Sequence, residues 1–118
     1  MAPSNVELSR RAFAAFNDRD LDAFLSVLAE DVEASPMLAA VEGGYTGHEG
    51  VRRWWATVND AFPDIVADVE EIEDRGDRTV TRMRLRGRGA GSATPFDMAV
   101  VHEAEYRDGK CVAWRLYR

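Results

Sequence analysis

"PFDMAVVHEAEYRDGKCVAWRLYR", residues 95–118, decides the fold. Two alternating runs flank the tetrapeptide "RDGK" at 107–110, whose Asp-Gly pair is a two-residue hairpin signal. Period-two alternation places Phe96, Met98, Val100, His102, Ala104 and Tyr106 on one strand face, and Asp97, Ala99, Val101, Glu103 and Glu105 on the other. The first set is the more apolar and is expected to face a core. On the second run Val112, Trp114, Leu116 and Arg118 share a face, with Arg115 opposite. An antiparallel hairpin is therefore predicted, with a histidine in the middle of its inward row.

Working upstream, "RTVTRMRLRGRG" (78–89) alternates in the same way. Thr81, Met83 and Leu85 fall on one face and Arg82, Arg84, Arg86 and Arg88 on the other. The arginine face is expected to be solvated or dimer-facing, paired with the acidic strand in "DIVADVEEIED" (64–74). "RGD" (75–77) and "GAGSAT" (89–94) read as turns. Before Pro63 the period changes. Ser4 or Asn5 can cap a helix with apolar positions Val6, Leu8, Phe13 and Phe16, which "NDRD" (17–20) breaks. Asp20 caps a second, with Leu21, Phe24, Leu25 and Leu28 on one stripe. "EDVEASP" (30–36) is a short strand stopped by Pro36, and "LAAVEGGYTG" (38–47) a loop. Thr46 or Gly47 opens a third helix, with Val51, Trp54, Trp55, Val58 and Phe62 at helical spacing.

Helices followed by a meander of strands predict an α+β fold. To cover the helices' apolar faces the mainly antiparallel sheet must curve strongly, which makes a cone-shaped α+β barrel with an interior. At 118 residues the chain is one domain, 1–118, large enough to bury a core unaided. A net charge of −6 argues against nucleic-acid and anionic-membrane partners, which need a basic surface. One cysteine, Cys111, leaves no internal disulfide and no multi-cysteine metal motif. The start "MAPSNVELSR" has no apolar signal region and no run approaches a membrane span, so the expected location is cytoplasmic. Two histidines 54 residues apart, without clustered carboxylates, predict no metal. "GRGAGS" (87–92) lies between strands rather than before a helix, so no phosphate loop and no cofactor are expected.

The order and spacing of "RRAFAAFNDRDLDAFLSVLAEDV", "YTGHEGVRRWW", "AFPDIVADVEEIEDRGDRTVTRMRLRGRG" and "YRDGKCVAWRLYR" resemble the nuclear-transport-factor-2-like superfamily. Its SnoaL-like and ketosteroid-isomerase-like members are the nearest in pattern. The resemblance implies a cone with a mostly apolar pocket and, often, a homodimer. Superfamily members include isomerases, cyclases, hydrolases, dehydratases and proteins without chemistry, so fold alone does not settle function. Ketosteroid isomerases use an Asp base before a proline on the first strand, a Tyr on the first helix, and a neutral carboxylic acid on a later strand. The matching positions here are Ser35, Ala12 and His102. Two of the three catalytic groups are missing, so a standard ketosteroid isomerase is excluded. The hydrolase pattern also fails, because "TRMRLR" (81–86) contains no Asp.

His102 is the leading catalytic candidate. An imidazole on the inward row can donate to a substrate oxygen or move a proton near neutral pH. The competing reading is a structural histidine bonded to a backbone carbonyl or to Tyr45. Asp97 matches a cyclase acid by resemblance, but its parity sets it on the opposite face from His102 unless a bulge intervenes. Ser35, Tyr45, Trp54, Trp55, Met98 and Trp114 are the candidate ligand-binding residues, with core packing the alternative for the tryptophans. His48, at a helix start, is expected at the surface. Two functions stay open. One is an isomerase- or cyclase-type enzyme acting on a small hydrophobic carbonyl compound through His102. The other is a non-catalytic ligand-binding or dimerisation domain.

Overall fold

A computed structural model describes residues 3–37, 44–88 and 95–118. The sequence-predicted loop over 38–43 and the turn over 89–94 lie outside the described residues. The chain runs α1 (Asn5–Asn17), α2 (Leu21–Ser26), β1 (Leu28–Ser35), β2 (Tyr45–Thr46), α3 (Gly47–Ala61), β3 (Val66–Asp74), β4 (Arg78–Arg88), β5 (Pro95–Arg107) and β6 (Lys110–Tyr117). The strands form one sheet in the order β2-β1-β6-β5-β4-β3. All neighbours are antiparallel except β1 and β6, which are parallel. The architecture is the expected one: three helices packed on a curved sheet, α+β. The sheet curves without closing.

Local chemistry explains the boundaries. The Ser4 hydroxyl accepts from the Glu7 amide and caps α1, and the Asp20 carboxylate accepts from the Ala23 amide and caps α2. Helix α2 is shorter than its apolar stripe suggested. It ends at Ser26, and Leu28 opens β1 instead. The β5–β6 hairpin turns at Asp108 and Gly109, with φ of 53° and 77°. Two successive positive φ values are what a type I′ turn needs, and they match the twist of the flanking strands. "NDRD" does more than break a helix. The Asn17 side chain donates to Ala67 O at 2.9 Å and accepts from the Ala67 amide at 2.8 Å. It thus covers part of the β3 edge. Arg19 donates to the carbonyls of Phe16, Pro63 and Ile65 and holds the α3–β3 connection against the end of α1.

Three register shifts bend the sheet, between Leu28 and Glu33, Val69 and Glu71, and Glu105 and Tyr106. Each bulge adds local twist and bending. The bent face wraps a core of Val32, Ile65, Met83, Leu85 and Val100 with the helical residues Leu8, Phe16, Leu25, Val51 and Val58. One polar cluster penetrates it. The Ser9 hydroxyl on α1 bonds Thr79 Oγ1 on β4 at 2.9 Å and the Tyr106 hydroxyl on β5. Ser9 and Thr79 are almost fully buried, and their mutual pairing makes this tolerable. The pairing also pins α1 to the middle of the sheet.

Candidate functional site

Helices and sheet together enclose a cavity of about 50 Å³. Its walls include Phe13 and Phe16 from α1, Phe24 from α2, Trp54 from α3, His102 from β5 and Trp114 from β6. A second void of about 30 Å³ lies deeper, lined by Ser9, Ala12, Ala104, Tyr106 and Cys111 among others. Phe13, Phe24, His102 and Trp114 border both and form the partition between them. The larger space is about a third of the roughly 150 Å³ that admits benzene in an engineered protein core. The interior is a narrow aromatic slot.

Aromatic packing sets its shape. Trp114 stacks on His102 with centroids 5.5 Å apart and planes at 23°, while Phe13 meets the same imidazole edge-on at 5.1 Å and 79°. Trp54 contacts Trp114 at 5.0 Å, and Phe24 contacts Trp54 at 5.9 Å. His102 is thus held between two rings, which fix its plane without giving it a hydrogen bond. His102 Nδ1 is buried and has no partner, and so are Thr81 Oγ1 and Trp114 Nε1. Thr81, His102 and Trp114 sit on the adjacent strands β4, β5 and β6, facing inward. Thr81 is directly opposite His102, and Trp114 is opposite Ala104. An unpaired buried polar atom costs about 1–3 kcal/mol, so three in one region call for an account of how each is satisfied.

Burial lowers the His102 pKa to about 4, a shift that nearby Glu103 opposes weakly. The imidazole is therefore neutral at pH 7. It can donate one N–H hydrogen bond and accept another, but it is not a cationic acid. Of the two roles read from the sequence, hydrogen-bond donation to a substrate oxygen is the one a neutral ring favours. Cys111, beside the deeper void, is pushed up to about 12 by burial and holds its proton. The Tyr106 phenol is raised for the same reason.

The other sequence-predicted residues divide sharply. Trp54 and Trp114 line the cavity. Trp55 does not: it packs behind the wall against Phe16 and Phe24. Met98 is half-buried opposite Leu85 and stays outside the lining. Tyr45 is buried against Gly50 at the start of α3, away from both voids. Ser35 is corrected to the outer sheet face, where it is exposed, opposite Arg115, beside Glu33 and Glu103. Asp97 is corrected likewise. Its carboxylate accepts from Arg84 Nε at 2.6 Å on the exposed outer face, because no bulge reverses its parity. It shares no wall with His102. Arg115 pairs with Glu103 at 2.8 Å on the same outer face. His48 is half-buried, with Nε2 3.0 Å from Leu28 O, instead of free at the surface.

Phe13, Phe16, Phe24 and Thr81 were not singled out as site residues, yet three line the slot and the fourth backs it. A signal existed: Ser9, Phe13 and Phe16 recur at helical spacing on one stripe of α1. Among the described residues no carboxylate lines either void and no group of three potential ligands could hold a metal ion.

The SnoaL-like domain model matches residues 9–114. The chain belongs to the SnoaL-like family. Three solved structures show how far this SnoaL-like protein's likeness extends. TerC, co-crystallized with polyporic acid, is 28% identical with a TM-score of 0.82, over 97% of this chain and 91% of that one. IdmH of Streptomyces antibioticus, a candidate polyketide cyclase, is 25% identical with a TM-score of 0.81, over 94% and 88%. A Catenulispora acidiphila protein with a ketosteroid-isomerase-like fold, in complex with trimethylamine, is 17% identical with a TM-score of 0.87, over 98% and 87%. The last likeness concerns fold alone. No protein with a curated description matches the sequence. Among the described residues no helix of this SnoaL-like chain is long and apolar enough to cross a membrane.

Proposed function

We propose that this SnoaL-like protein binds a small, largely apolar carbonyl compound in the aromatic slot and promotes an isomerase- or cyclase-type rearrangement of it. The observation that carries the reading is a neutral imidazole that lines an apolar cavity, packed between the rings of Phe13 and Trp114. A neutral imidazole N–H held in a dry site stabilises negative charge that develops on a carbonyl oxygen. The Trp114 indole N–H, also unpaired, is a second donor in the same region.

The absence of a carboxylate in the lining among the described residues limits the chemistry. A weakly acidic carbon needs a stronger base than this site offers. The fitting substrates are those already acidic or enolised, such as 1,3-dicarbonyl compounds. For these, a proton moves from carbon to oxygen, or the enol carbon bonds to a second carbonyl carbon, whose C=O π pair moves onto its oxygen and takes up the enol proton. The protein then contributes orientation and hydrogen bonding to oxygen. The likeness to IdmH supports a cyclase-like substrate class. The slot's small volume favours a second, non-catalytic reading, in which it holds a compact ligand and does no chemistry.

The test uses acetone and acetylacetone as probes, the smallest ketone and the smallest 1,3-diketone, with His102 ring nitrogens and the Trp114 indole followed by NMR. The proposal expects at least one probe to shift both signals saturably. It also expects His102→Phe to weaken that probe about tenfold while the protein stays folded. Shifts confined to surface residues, or equal binding by the variant, would contradict it. Binding without any change in the probe's enolisation rate would favour the non-catalytic reading.

A further inference from the structure

Thr81 and His102 are register partners on β4 and β5, and both face the interior. Side chains directly opposed on neighbouring antiparallel strands have Cβ atoms about 5 Å apart. Each carries a buried polar atom without a partner, Thr81 Oγ1 and His102 Nδ1. The other groups around the ring cannot satisfy Nδ1. Phe13 is a hydrocarbon ring with no N–H or O–H to donate. Trp114 lies nearly parallel to the imidazole at 23°, so its in-plane N–H points past the ring instead of at it. A change of the Thr81 χ1 rotamer turns Oγ1 toward the opposed strand and leaves the backbone and the imidazole plane in place.

We infer that Thr81 is a positioning residue for His102: its hydroxyl donates to Nδ1 and thereby fixes the imidazole proton on Nε2. The direction follows from counting donors. A threonine hydroxyl has one proton and no partner among the described residues. If it donates to Nδ1, a single bond satisfies both orphans. If instead it accepts from an Nδ1–H, its own proton remains unpaired. The first arrangement is the cheaper one in a dry interior. It leaves Nε2–H as the donor available to a ligand oxygen, which is the form that the proposed carbonyl chemistry needs. The inference rests on that functional reading only for the purpose of the freed donor; the tautomer itself is a property of the unliganded protein.

The experiment is a long-range proton–nitrogen NMR correlation on protein labelled with ¹⁵N-histidine, at pH 7.5 and without ligand, on the wild type, Thr81→Val and Thr81→Ser. The wild type is expected to show predominantly the Nε2–H tautomer. One hydrogen bond is worth about fivefold in an equilibrium, so Thr81→Val should lower the ratio of Nε2–H to Nδ1–H about fivefold. Thr81→Ser, which keeps the hydroxyl, should restore it. A predominant Nδ1–H form in the wild type would overturn the assignment. So would a Thr81→Val protein with an unchanged ratio, or a serine variant that behaves like valine. If Thr81→Val does not fold, Thr81→Ala, which also lacks the hydroxyl, is read against Thr81→Ser in its place. A probe panel that fails to bind while the Nε2–H form persists would defeat the functional reading and leave this one standing.

Discussion

The two faces of the one sheet obey opposite rules. On the outer face charged residues find partners: Arg84 with Asp97, Arg86 with Asp68, Arg82 with Glu71 and Arg115 with Glu103. Tyr117 also donates its hydroxyl to Glu103, whose pKa that bond, together with Arg115, holds below the usual range. These pairs are exposed to water and contribute little stability. On the inner face polar atoms are few and buried, and three of them on neighbouring strands are unpaired. A residue therefore matters by the face it occupies more than by its chemical type. Asp97 is a carboxylate within five residues of His102, yet it belongs to the surface.

The largest expected break in that contrast is Trp54→Ala. Removing the indole opens the slot and strips contacts from Phe16, Phe24 and Trp114. The expected cost is about 3–5 kcal/mol, read by urea denaturation. Loss below about 1 kcal/mol would mean that the aromatic wall is not a packed core.

Next is the pH dependence of His102. Its folded pKa is lowered to about 4 from 6.5, so the unfolded chain takes up this proton first. The neutral ring's contribution is complete above pH 6.5 and is lost as pH falls from 6.5 toward 4. The loss is at most about 3 kcal/mol, and less because the residue keeps some exposure. It is measured as the difference between the stability–pH curves of wild type and His102→Phe. Parallel curves through this window would show that the ring is solvated when folded.

Ser9→Ala is smaller. It leaves the Thr79 and Tyr106 hydroxyls without their shared partner, at about 1–3 kcal/mol by thermal or chemical unfolding. The smallest effect belongs to the outer face. Asp97→Asn should leave the melting temperature and any probe binding essentially unchanged, because the pair it breaks is solvated. Loss of binding in that variant would return Asp97 to the site.

Alternation made the outer and inner rows of β4 and β5 legible, and with them the inward position of His102 and the surface parity of Asp97. Ser35 was misplaced because its position came from resemblance, while parity with buried Ala34 puts it outside. Ser9 escaped notice because a polar residue on a helix reads as solvent-facing. Its burial depends on Thr79 and Tyr106, distant in sequence. Thr81 was legible as an inward residue, but its lack of a partner is a property of three-dimensional packing. Trp54 and Trp55 have the same helical stripe, and only the sheet's curvature decides which of them reaches the hollow.

The central claim is that residue 102 presents an uncharged imidazole to an enclosed interior. Titration of its ring nitrogens by NMR from pH 8 to pH 3.5 tests this directly. The structure predicts no protonation down to about pH 5 and a midpoint near 4. A midpoint near 6.5 would place the ring in water and remove the basis of the proposed site.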